Sequence, residues 1–84
     1  MMNFKSMNYA EVKKFAAKLS VDEALGLMSI QALSLSDNDT EFDAQVEIFV
    51  GALYDSGNIA TAHECEAFVS AYYQAKYPNM RTRR

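Results

Sequence analysis

Basic side chains are missing from most of this chain. No lysine or arginine lies between Lys18 and Lys76, and those 57 residues carry ten aspartates and glutamates and a single histidine. The 84-residue sequence also has no tryptophan, one cysteine, one proline and three glycines. Each scarcity excludes something. A lone thiol, Cys65, rules out an internal disulfide, so the fold must rest on its core, and a reducing cytoplasm is the expected setting. With so little glycine and proline there is no linker to separate two domains, so a single domain over 1–84 is expected, with 1–7 and 79–84 as mobile termini. The longest charge-free run, Ala24 to Ser36, falls short of the about 20 predominantly apolar residues of a membrane span, so no membrane contact is expected. Nothing at the N-terminus combines a basic start, a long apolar run and a small-residue cleavage site.

What is present is apolar periodicity. Half of the residues are hydrophobic, enough for one small core without metal or disulfide. Tyr9, Val12, Phe15, Ala16 and Leu19 recur at helical spacing behind an Asn8 cap with Glu11 at the N3 position. Ser20-Val-Asp-Glu23 reads as a capping box and opens a second helix that is apolar nearly all round, which places it at the centre of the bundle or against a partner subunit. A third helix runs from about Thr40 to Asp55 with Phe42, Val46, Phe49, Val50 and Leu53 on its buried stripe, and Gly57 closes it. The fourth starts at Thr61, where Glu64 repeats the capping-box spacing, or earlier at Asn58, and stops before Pro78. No segment alternates with period two. The predicted fold is all-α: a compact bundle of four short helices with the apolar second helix at its centre.

Motifs for chemistry are sparse. His63 and Cys65 stand two residues apart, which on a helix of about 100° per residue sends them to nearly opposite sides. Asp37-Asn-Asp39-Thr-Glu41 begins like a calcium loop, yet the sixth position holds Phe42 and the twelfth Ile48 where glycine and glutamate are required. These short polar residues suit helix termination and capping instead. There is no phosphate-binding glycine loop and no nucleophile elbow. No catalytic residue, metal or cofactor is therefore assigned.

The acidic middle carries the functional expectation. Asp39, Asp43 and Glu47 follow at four-residue steps on the third helix, with Tyr54 further along as an aromatic anchor. Like charges at that spacing cost about 0.2–0.5 kcal/mol per pair, and no lysine nearby in sequence offsets them. The ordinary explanation is solubility. The sharper one is a non-catalytic module presenting an acidic face to a basic protein surface, in the limit an inhibitor that competes with nucleic acid for its partner. A single helical row is too sparse for close mimicry, because duplex DNA carries one charge per about 1.7 Å. Two alternatives stand beside it. One is a self-associating structural protein, a homo-oligomer held by Ile30 and Leu33. The other is direct nucleic-acid binding through Lys13, Lys14, Lys18, Arg81, Arg83 and Arg84, against which the pI near 4.9 argues.

Overall fold

The computed structural model describes residues 3–78. A short 3-10 turn, Phe4–Ser6, precedes four α-helices: α1 (Tyr9–Ala17), α2 (Val21–Ser34), α3 (Asp39–Asp55) and α4 (Ile59–Lys76). The described residues contain no strand, and the all-α four-helix class read from the sequence is what they adopt.

Most helix ends follow local chemistry. Asn8 accepts from the Ala10 N–H, although Glu11 does not complete the reciprocal bond. At Ser20 the capping box is complete, the serine hydroxyl accepting from Glu23 N–H and the Glu23 carboxylate from Ser20 N–H. Asn38 accepts from Glu41 N–H and starts α3. Gly57, at φ 86°, ends it in a left-handed turn, with Asn58 N–H reaching the Leu53 carbonyl and Gly57 N–H that of Tyr54. The earlier of the two starts for α4 is observed. Thr61 is buried inside the helix, and Asn58 flanks it without capping it. The Asn58 carboxamide instead donates to the carbonyls of Ala16 (2.9 Å) and Leu19 (3.0 Å), tying the start of α4 to the end of α1.

Helix α3 packs against every other element. It supplies Phe42, Phe49, Val50, Ala52 and Leu53 to a core shared with Val12, Ala16, Ala24, Met28, Ala32, Ala62 and Cys65. The central role expected of α2 thus falls to α3. Helix α2 buries Ala24, Met28, Gln31 and Ala32, chiefly against α4, and leaves its opposite side open. Ile30 and Leu33 on that side have no neighbour among the described residues to cover them, which is why hydrophobicity alone misplaces the helix. In α3, by contrast, acidic residues occupy only the solvent side of a helix enclosed elsewhere.

The N-terminal segment is a second correction. Residues 3–7, expected within a mobile terminus, are packed: Phe4 is buried and stacks on Phe49 with ring centroids 5.0 Å apart. Its N–H donates to Gln45 Oε1 at 2.7 Å, and Gln45 Nε2 donates to Asn3 and Glu41. One buried aromatic anchor and a satisfied buried amide hold the segment against the entropy that would free it.

Candidate protein-binding face

Antiparallel packing of α4 on α3 brings acidic residues of one helix beside tyrosines and a lysine of the other. At the N-terminal end of α3, Lys76 donates to Asp39 at 2.7 Å and also to the Ser36 carbonyl, while the Tyr77 hydroxyl donates to the second Asp39 oxygen. The Lys76 ammonium also lies over the Tyr72 and Tyr77 rings. Hydrogen bonds from Lys76 and then Tyr77 hold Asp39 below its ordinary pKa, and the same bond from the other side holds Lys76 well above its own. One turn on, Asp43 accepts from the Tyr73 hydroxyl at 2.7 Å; burial and that bond raise the phenol's pKa. On the neighbouring flank Lys5 pairs with Glu41 at 3.0 Å, and hydrogen bonds from Gln45 and Lys5 lower the Glu41 pKa.

These contacts correct the expectation of an uncompensated acidic row. Lys5 and Lys76 are far from α3 in sequence but reach it in space, so Asp39 is an ion-paired residue and Asp43 a phenol acceptor. At the other end of α3 the Tyr9 hydroxyl donates to Asp55 at 2.6 Å, and Lys13 lies over the Tyr9 ring.

Glu47 and Tyr54 are placed differently. They border an open groove of about 520 Å³ between α3 and α4, floored by Val46, Val50, Gly51 and Val69 and edged on the α4 side by Glu66 and Ser70. The Tyr54 hydroxyl donates to Glu66, which raises the phenol's pKa, and its ring meets His63 edge-on at 5.7 Å. Glu47 is exposed, and among the described residues no cation pairs with it or with Glu66. A Cβ at Gly51 would meet only the Tyr9 hydroxyl, at 3.6 Å, so this glycine leaves the floor open. Of the four α3 residues expected to contact a partner, the structure gathers Glu47 and Tyr54 into one feature and occupies Asp39 and Asp43 internally.

Glu66, Val69 and Ser70 were not among the site residues expected from sequence. The helical period places Glu66 on the outside of α4, but only the pairing of the two helices sets it beside Tyr54 and in the same groove lining as Glu47.

The remaining candidates lie elsewhere. Ile30 and Leu33 are 53% and 79% exposed on α2, away from the groove. Lys13, Lys14 and Lys18 lie on or just after α1, whereas Arg81, Arg83 and Arg84 fall outside the described residues. Cys65 is buried, and burial, with a smaller contribution from Glu64, pushes its thiol up to about 11. His63 is exposed on the outer side of the same helix. Among the described residues no three His, Cys, Asp or Glu side chains converge as a metal site would, and no helix is long and apolar enough to cross a membrane.

Fold and site together define an α-helical bundle with an acid-rimmed apolar groove. No protein-family model, curated protein or solved structure matches the chain.

Proposed function

We propose that this is a non-catalytic protein-interaction module of the cytoplasm whose α3–α4 face docks on a basic protein surface. The observation that carries this reading is the grouping of Glu47, Glu66 and Tyr54 around an apolar floor, with every described ion pair lying nearer the N-terminal end of α3. An apolar centre with a charged rim is the arrangement by which interfaces exclude water and select a partner's sign. Competition with nucleic acid is the weaker extension, because Lys76 and Lys5 neutralise two of the carboxylates such a mimic would need.

The test is affinity capture from the native host with wild type and Glu47→Lys columns. A basic protein held by wild type, eluted by salt and absent from the variant column supports the proposal. Equal recovery on both columns overturns it.

A second reading, self-association through α2, is favoured by the exposure of Ile30 and Leu33 on a helix with no charge from Ala24 to Ser36. Sedimentation equilibrium shows it as a concentration-dependent mass that Leu33→Asp abolishes.

A further inference from the structure

We infer that the α3–α4 groove accepts a basic amphipathic helix of a partner protein, with one apolar side chain seated on Val46, Val50 and Val69 and a lysine or arginine reaching each of the flanking carboxylates. This rests on the proposed docking role of that face and specifies the shape of what docks there.

The groove is the furrow between two packed helices, and a third helix lays its apolar stripe into such a furrow by ridges-into-grooves packing. No strand exists among the described residues, so there is no sheet edge for an extended peptide to join. The two acidic side chains rise from opposite walls, Glu47 from α3 and Glu66 from α4, with the valines between them. A helix meets that pattern when an apolar residue has cations three or four positions to either side, since those positions share one face. The acidic walls repel phosphate, which removes nucleic acid as the occupant. The basic helix α1 of a second copy does not fit either, because it already buries Val12 and Ala16 in its own core.

Two features prepare the groove in advance. Gly51 places no side chain on the floor, and a Cβ there would make only an ordinary contact with the Tyr9 hydroxyl. Tyr54 is held by its bond to Glu66 and by the His63 edge, so its ring loses little freedom when a partner covers it.

The test uses two synthetic 18-residue peptides of identical leucine and lysine content. In one the leucines form a helical stripe; in the other the order is scrambled so that they spread round the helix. Binding is measured by fluorescence anisotropy at low salt, and the site by NMR shifts of the valine methyls. The stripe peptide is expected to bind at least tenfold more tightly than the scramble, with shifts at Val46, Val50 and Val69. Gly51→Leu fills the floor with a residue of higher helix propensity and is expected to lose at least tenfold in affinity while keeping its helical circular dichroism. The exposed double change Glu47→Gln, Glu66→Gln provides a second variant that leaves the core intact, and it is expected to weaken binding and flatten its salt dependence. Equal affinity for the two peptides overturns the groove inference but leaves the acidic docking reading standing. Failure of both peptides to bind at low salt removes both. Shifts confined to Ile30 and Leu33, or full affinity in folded Gly51→Leu, also overturn the inference.

Discussion

Two buried glutamines give opposite answers to one substitution. Gln31 is 4% exposed on the inner side of α2, and neither its Nε2 nor its Oε1 has a hydrogen-bond partner among the described residues. Gln45 is 2% exposed on α3 and fully engaged, accepting from Phe4 N–H and donating to Asn3 and Glu41. Methionine matches glutamine in length and removes the amide. At Gln31 the change deletes an unsatisfied buried group and is expected to stabilise the fold by about 1–3 kcal/mol. At Gln45 it strands the buried Phe4 N–H and is expected to destabilise by about 1–3 kcal/mol, so the variants should differ by about 2–6 kcal/mol. In a domain this small each kcal/mol moves Tm by about 4–8 °C. Urea unfolding followed by circular dichroism at 222 nm measures both, with the m-value expected to stay constant. Shifts of the same sign at the two sites would refute the reasoning, and a less stable Gln31→Met would mean that this amide has a partner in solution.

The remaining expectations concern the anchor, the thiol and pH. Phe4→Ala should cost about 3 kcal/mol, the low end for a buried aromatic because the short turn that carries it can detach, and hydrogen exchange should rise at Lys5 to Met7. Little change in either would mean that the turn is not docked. Cys65, buried and with its thiol pushed up to about 11, should react with a disulfide reagent at pH 8 only as the fold opens; stoichiometric labelling of native protein within seconds contradicts its placement. Acid and alkali should each destabilise. Asp39 and Glu41 have pKa values lowered from 3.8 and 4.5, so their contribution is present above those values and lost as pH falls below them. The thiol of Cys65 is raised from 9.0 and the phenols of Tyr9, Tyr54, Tyr73 and Tyr77 from 10.0, so their neutral forms favour the fold below those values and the contribution is lost as pH rises above them. Lys76, raised from 10.5, loses its contribution in the same alkaline direction. Thermal melts across pH should therefore be flat from about 5 to 9 and fall on both sides, and Lys76→Met should weaken the acid limb by removing the partner of Asp39. An acid limb unchanged in that variant counts against the ion pair.

Sequence alone determined what neighbours within one helical turn decide. The Ser20 capping box, the left-handed close at Gly57, the stop before Pro78 and the stripe of Phe42, Phe49, Val50 and Leu53 are all local or periodic, and each is where its residues place it. Tertiary structure decided which groups meet. Lys76 closes on Asp39 across 37 positions and Phe4 N–H on Gln45 across 41, distances over which sequence spacing carries no register. Asn58 shows the two levels in conflict: its residue type suits an N-cap, yet its side chain serves α1, because the packing of the two helix ends brings the Ala16 and Leu19 carbonyls within its reach. The acidic excess of the central segment was legible in composition. That Glu47 and Tyr54 share a groove with Glu66 while Asp39 and Asp43 are engaged by α4 follows from how two helices pack side by side, and charge counting along the chain has no access to that geometry.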